Sequence, residues 1–117
     1  MSLGGSLKVI GAGVIFRTTG ADGAGYTLLD AFSGDDEQEK TLAGISIVKA
    51  GEKSLDLIEK ARVSGRLTPA VVRLLPDIGG GRARALLSRI SADDGPVADA
   101  AMESLDLLDE IETFEDD

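Results

Sequence analysis

The chain has 117 residues, enough for one domain, and 43% of them are hydrophobic, enough to form a buried core. It contains neither cysteine nor histidine, which excludes disulfides, Cys/His zinc sites, thiol nucleophiles and histidine-based catalytic triads. With 12 basic and 21 acidic residues, the net charge of −9 argues against nucleic acid or an anionic membrane as a partner.

No apolar run approaches the roughly 20 residues that span a bilayer, and the N-terminus has no signal-peptide pattern. We therefore expect a cytoplasmic protein. We also expect no cofactor, no bound metal and no catalytic residue.

The first predicted element is a helix over residues 6–19. Its apolar residues surround almost the whole helix: Leu7, Val9, Ile10, Val14, Ile15 and Phe16. Only Lys8 and Arg17 are charged. Such a helix needs cover from its own chain, from a preceding segment or from a second copy, so self-association through it is one expectation.

An alternative interpretation of the same segment is a small dinucleotide-binding, Rossmann-like domain. Residues 6–10 would form a strand, Gly11 and Gly13 the phosphate turn, and Asp30 the ribose contact. Phe16 occupies the third glycine position, and the rest of the chain is typical of helices. This alternative requires strands.

Beyond residue 19 the glycines form two series, each with spacings of 31 and then 30 residues. The series are Gly20, Gly51 and Gly81, and Gly34, Gly65 and Gly95. Each interval accommodates a helix of about three turns and its connection. The spacing predicts three helix pairs at 20–50, 51–80 and 81–111, followed by an acidic tail at 112–117, all in one domain spanning 1–117.

Each interval has an apolar face at helical spacing. In the first helices these faces are Tyr26, Leu28, Leu29 and Phe32, then Leu55, Leu57, Ile58 and Ala61, then Ala83, Leu86, Leu87 and Ile90. In the second helices they are Leu42, Ile45 and Val48, then Val71, Leu74, Leu75 and Ile78, then Ala101, Leu105, Leu108 and Ile111.

Helix boundaries are marked by residues with a physical role. The pairs at 35–36 and 68–69, and the triplet at 94–96, precede second helices as caps or as proline in the first turn. Gly51 and the glycines at 79–81 follow helix ends, where positive φ is needed. Pro76 lies inside an apolar pattern and should kink or shorten its helix.

The pattern resembles HEAT and HEAT-like helical repeats, the helical-pair family that includes the bilin-lyase type. The segments that carry the resemblance are AVVRLLPDIGG at 70–80, ALLSRI at 85–90 and DDGPVADAA at 93–101. The resemblance implies an all-α fold, a right-handed α-solenoid of antiparallel helix pairs with about three repeats after the N-terminal helix.

For such an array we expect a non-catalytic protein–protein interaction module, a scaffold or adaptor, whose partner binds a groove lined by the second helices. Candidate partner-binding residues are Arg73, Asp77, Asp99, Glu103 and Asp106. The acidic C-terminal part favours a partner protein with a basic or mixed-charge surface. Alternatives are the dinucleotide-binding domain and a helper domain of a larger enzyme. A lesser alternative is an anion site at Arg82, Arg84 and Arg89.

Overall fold

The computed structural model describes the backbone of residues 3–115 and the side chains of residues 4–111. Every regular element in this range is helical. The helices are α1 (Leu3–Thr19), α2 (Asp22–Phe32), α3 (Glu37–Ala50), α4 (Glu52–Val63), α5 (Pro69–Val72), α6 (Leu75–Ile78), α7 (Gly80–Ser91) and α8 (Pro96–Glu115). The all-α prediction is confirmed.

The dinucleotide-binding alternative requires a strand at residues 6–10, and this prediction is wrong. Residues 6–10 lie inside α1, which continues without interruption through Gly11 and Gly13 to Thr19. Both glycines are therefore helical, and neither shows the positive φ of a tight turn. No strand occurs in residues 3–115, so a Rossmann-like fold is excluded for this part of the chain.

The chain divides into two compact units, Met1–Lys60 and Ala61–Asp117, referred to below as the N-terminal and C-terminal units. In the N-terminal unit, α1, α2 and α3 all pack against one another. The first part of α4 completes this core, which includes Val9, Phe16, Leu28, Ile47, Leu57 and Ile58. The Lys53 ammonium donates to the Arg17 carbonyl, and Lys60 forms an ion pair with Asp22 at 3.1 Å.

A glycine permits the closest packing within this core. Gly25 is buried in α2, and a Cβ built there would lie 2.6 Å from Cδ2 of Leu57 and 2.9 Å from Cε1 of Phe16. Both neighbouring side chains are buried. The missing side chain therefore allows α2 to approach α1 and α4.

The C-terminal unit is built on α7 and α8, which pack along each other, with α5 and α6 against them. Its core consists of aliphatic side chains from α5 to α7 and alanines from α8: Val71, Val72, Leu75, Leu86, Leu87, Ile90, Ala98, Ala100 and Ala101. Arg62, near the end of α4, also belongs to this unit and forms an ion pair with Asp93.

The predicted helix ends agree with the structure at several positions. The Asp36 carboxylate caps α3 by accepting from the Glu39 amide at 2.9 Å, and Thr68 caps α5 with Pro69 in the first turn. Gly51 and Gly79 follow helices with φ of 58° and 75°.

The predicted interruption at Pro76 is also present. Residues 69–78 form two short helices, α5 and α6, in place of one. Proline lacks the amide hydrogen that would bond the carbonyl four residues earlier, and its ring crowds that carbonyl. At the break, the Leu74 amide instead donates to the Val71 carbonyl, three residues back.

Two predicted apolar faces agree with the structure only in part. On α3 the buried residues are Ala43, Gly44 and Ile47, whereas Ile45 is 49% exposed. The face is displaced because α3 packs on two helices, α1 and α2, through small residues. On α8 the buried residues are Ala98, Ala100, Ala101 and Ser104, whereas Leu105 and Leu108 are half-buried and Ile111 is exposed.

The predicted faces of α4 and α7 are confirmed, since all eight of their residues are buried. At the C-terminus, α8 continues through Glu115, so the first four residues of the acidic tail have a helical backbone. Asp116 and Asp117 lie outside the described residues.

Candidate functional site

The solvent side of α1 carries the main group of exposed aliphatic side chains in the N-terminal unit. Leu7 is 66% exposed, Ile10 48%, and Val14 and Ile15 50% each. They recur at i, i+3, i+7 and i+8, and the exposed Gly11 lies between them. These five residues form one contiguous strip along the helix, referred to below as the α1 apolar face.

The opposite side of α1 is equally apolar, but it is buried. Val9, Ala12 and Phe16 are at most 8% exposed and pack into the core of the N-terminal unit. A helix that is apolar on all sides is typical of an element that is covered on all sides. Residues 4–60 cover the side of α1 that carries Val9, Ala12 and Phe16, and they leave the α1 apolar face open to solvent.

An open apolar groove of about 390 Å³ lies beside this face, between α1 and α2. From α1 it is lined by Leu7, Lys8, Gly11, Ala12 and Ile15, and from α2 and the preceding turn by Ala21, Gly23, Ala24 and Thr27. Gly11 and Gly23 have open space where a side chain would be. Larger aliphatic side chains therefore stand beside a floor of small residues, a shape that accepts a protruding apolar side chain.

The edges of the α1 apolar face carry positive charge. Lys8 and Arg17 are exposed, and α1 contains no acidic residue. Lys8 also borders a polar pocket of about 290 Å³ whose carboxylates come from Asp30, Asp35, Asp36 and Glu39. Asp36 is engaged in capping α3.

The side chains of residues 4–111 include no group of three or more acidic residues arranged to hold a metal ion. Asp30, Asp35, Asp36 and Glu39, which line the polar pocket near Lys8, do not form such a group.

All five predicted partner-binding residues lie in the C-terminal unit and are exposed. Arg73 follows α5 and Asp77 lies in α6, whereas the other three occupy α8 at i, i+4 and i+7. The structure brings two of the five together: Nη2 of Arg73 lies 3.5 Å from Oε2 of Glu103. Asp99, Glu103 and Asp106 form an acidic strip along α8.

The three arginines of the alternative anion site lie on α7. Arg84 is engaged with Asp109 of α8 at 2.9 Å. Gly79 and Gly80, with φ of 75° and 87°, lead into α7, whose first turn has no side-chain cap. In the part of the chain that the structure describes, no buried side-chain nitrogen or oxygen lacks a hydrogen-bond partner.

Sequence reasoning recognised that α1 needs cover but missed the groove. The available signal was the series of small residues on both sides of the α1–α2 turn, Gly11 and Ala12 and then Ala21, Gly23 and Ala24. Such residues have no large side chain to place on a helical wheel, so periodicity alone does not identify them.

Comparison of the chain with protein families, with curated proteins and with solved structures finds no match. In the described part of the chain, no helix combines the length and the apolar character needed to cross a membrane. The geometry of the described residues therefore carries the functional argument alone.

Proposed function

We propose that this chain is a non-catalytic protein–protein interaction module, and that the α1 apolar face is its main binding surface. The observation that carries the proposal is the exposure of Leu7, Ile10, Val14 and Ile15 on one strip of a helix whose other side is buried. Single exposed aliphatic residues are ordinary, but a contiguous apolar strip beside a groove is typical of a protein-binding surface.

The chemistry of the chain supports a binding role over a catalytic one. Without cysteine or histidine, acid–base or nucleophilic chemistry would depend on carboxylates, lysines or hydroxyls. The carboxylates nearest to a pocket include Asp36, which caps α3.

We extend the proposal to the HEAT-like organisation. In chain order the helices occupy the intervals expected from the glycine spacing: α2 and α3, then α4 followed by the α5–α6 segment, then α7 and α8. Within their units, α2 packs against α3 and α7 against α8. A cytoplasmic scaffold built from such pairs would present its second helices to a partner. The acidic strip at Asp99, Glu103 and Asp106 fits a basic or mixed-charge partner surface, with Arg73 and Asp77 beside it in the proposed groove.

A site-specific photo-cross-linker tests the main proposal. The photoreactive residue replaces Val14 in the full chain, expressed in its source cells. The matched control places it at Ile45 of α3, which has nearly the same exposure, 49% against 50%. We expect a discrete cross-linked protein band from position 14 and none from position 45. Equal labelling at both positions, or no band at position 14, would contradict the proposal.

The acidic strip is tested separately by placing the photoreactive residue at Asp106, with the exposed Asp94 as control. Because attraction between exposed charges is screened by salt, cross-linking from position 106 should fall as ionic strength rises. A yield that is independent of salt, or equal at position 94, would exclude the strip as an electrostatic binding surface.

A further inference from the structure

We infer that the occupant of the α1 apolar face is a second copy of this chain, bound through an antiparallel pair of α1 helices that cross at Gly11. This inference rests on the proposed function and names its partner. It makes the protein a homodimer whose interface is the same surface on both copies.

The positions along α1 fit a two-fold pair. Leu7 lies four residues before Gly11 and Ile15 four residues after it, on the same strip. When two antiparallel helices cross at Gly11, Leu7 of one copy faces Ile15 of the other, and the reverse contact is identical. Gly11 has no neighbour within 4 Å of a built Cβ, so it leaves room for the second helix at the crossing. Small residues at a crossing allow two helices to approach closely.

Charge along α1 also fits this arrangement. The whole chain carries −9, which opposes association of two copies. The contact region differs, because α1 has no acidic residue and only Lys8 and Arg17 are charged. In an antiparallel crossing at Gly11, the position opposite Lys8 is Val14, and the position opposite Arg17 is Gly5. Like charges do not face each other.

The surface area available at the α1 apolar face limits the affinity expected for the dimer. A helix of 17 residues is about 25 Å long and about 10 Å wide with its side chains. One side of such a helix covers about 250 Å², so two copies of α1 alone would bury about 500 Å² in total, roughly half of what a specific interface needs. The groove beside α1 must therefore contribute as well, and we expect a weak dimer that dissociates in the micromolar range.

The first experiment is sedimentation equilibrium of the full chain from about 5 to 500 μM, a range that brackets micromolar dissociation. We expect a monomer–dimer equilibrium. Val14→Lys places a second ammonium opposite Lys8 of the other copy and should shift the equilibrium to monomer, whereas Ile45→Lys, at a position of similar exposure, should leave it unchanged. Because salt screens the repulsion between two acidic chains, a higher ionic strength should strengthen the dimer. Binding of a partner to the acidic strip should instead weaken as ionic strength rises.

The second experiment locates the crossing. The chain has no cysteine, so Gly11→Cys introduces a single thiol at the proposed two-fold axis. A disulfide requires Cα atoms about 4.4–6.8 Å apart, a distance that the two positions 11 reach only at a close crossing. Mild oxidation should convert this variant to a covalent dimer. Ile45→Cys, the control, should remain largely monomeric.

The outcomes separate this inference from the proposed function. A chain that stays monomeric over the whole range overturns the inference, and the proposed function then stands if Val14 cross-links to a different protein. A dimer that survives Val14→Lys, with circular dichroism showing that the variant is folded, also overturns it. A dimer in which Gly11→Cys does not cross-link overturns the crossing at Gly11.

Discussion

The Arg62 guanidinium holds the Asp93 carboxylate through two hydrogen bonds, 2.8 Å from Nε to Oδ2 and 3.0 Å from Nη2 to Oδ1. The two residues are 31 positions apart, the same as the first spacing in each glycine series. The pair joins the end of α4 to the turn after α7, where the Asp93 amide also donates to the Ile90 carbonyl. Bidentate guanidinium–carboxylate geometry makes this ion pair more specific than an exposed pair held by a single contact, such as Arg73 with Glu103.

The Arg62–Asp93 pair predicts a pH-dependent contribution to stability. The hydrogen bond from Arg62 lowers the pKa of the Asp93 carboxyl below its usual range, and desolvation offsets this effect in part. A lowered pKa in the folded state stabilises the protein above the unfolded pKa of about 3.9, and this stabilisation is lost as the pH falls through the folded value.

We therefore expect Asp93→Asn to lower the urea midpoint at pH 7. The difference from the natural chain should shrink as the pH falls below about 4, because Asp93 of the unfolded chain is protonated first and Asp93 of the folded chain follows at its lowered pKa. The exposed Asp94→Asn is the control and should change the midpoint little at either pH. A destabilisation by Asp93→Asn that stays constant down to pH 2 would show that the charge of Asp93 is not its source.

Gly25 and Gly23 should respond in opposite directions to alanine, although both lie in α2. A methyl group at Gly25 collides with the buried side chains of Leu57 and Phe16, so Gly25→Ala should lower the free energy of unfolding by about 1–3 kcal/mol. A methyl group at Gly23 meets nothing within 4 Å, so Gly23→Ala should raise it by about 0.5–1 kcal/mol. Urea denaturation measures both. Equal effects would contradict the packing of α2 against α1 and α4.

The adjacent aspartates before α3 should also differ. Asp36 accepts a hydrogen bond from the Glu39 amide, whereas Asp35 is exposed. Asp36→Ala should cost about 1 kcal/mol of unfolding free energy through loss of the cap, and Asp35→Ala close to nothing. Thermal unfolding of the two variants side by side tests this. A larger loss at Asp35 would place the start of α3 one residue earlier.

The net charge predicts that the chain does not bind duplex DNA at physiological salt. Fluorescence anisotropy of a labelled duplex titrated with the chain measures this directly. Binding would contradict the prediction and direct attention to the glycine turn before α7. In that case, Arg82→Glu should abolish binding while Arg66→Glu, an exposed arginine outside the turn, should not.

How well the sequence predicted each helix depends on whether that helix packs through large aliphatic side chains or through small residues. On α4 and α7 the buried residues follow the aliphatic periodicity, and every predicted face residue is buried. On α3 the helix lies against both α1 and α2, and its contacts use Ala43 and Gly44, which apolar periodicity underweights. A buried hydroxyl was also missed: Ser54 donates to the Ile47 carbonyl at 2.5 Å, a contact between the end of α3 and α4.

The candidate site, like the helices, could be predicted from the sequence only in part. Composition showed that α1 is apolar on all sides, with only Lys8 and Arg17 charged. Which of its residues remain exposed depended on where α2 and α3 pack, because the same aliphatic side chains serve equally well in a core or at an interface. The groove depended further on the position of α2, since its floor is formed by small residues from two separate segments.

The sequence by itself determined the helical class, the ends of several helices and the break at Pro76. These features depend on local chemistry: glycine at positive φ, capping side chains and the missing amide of proline. Only the tertiary structure decided that Leu7, Ile10, Val14 and Ile15 face solvent while Val9 and Phe16 form the core. Burial depends on contacts between residues far apart in the chain, and hydrophobicity alone does not specify which neighbour each residue receives.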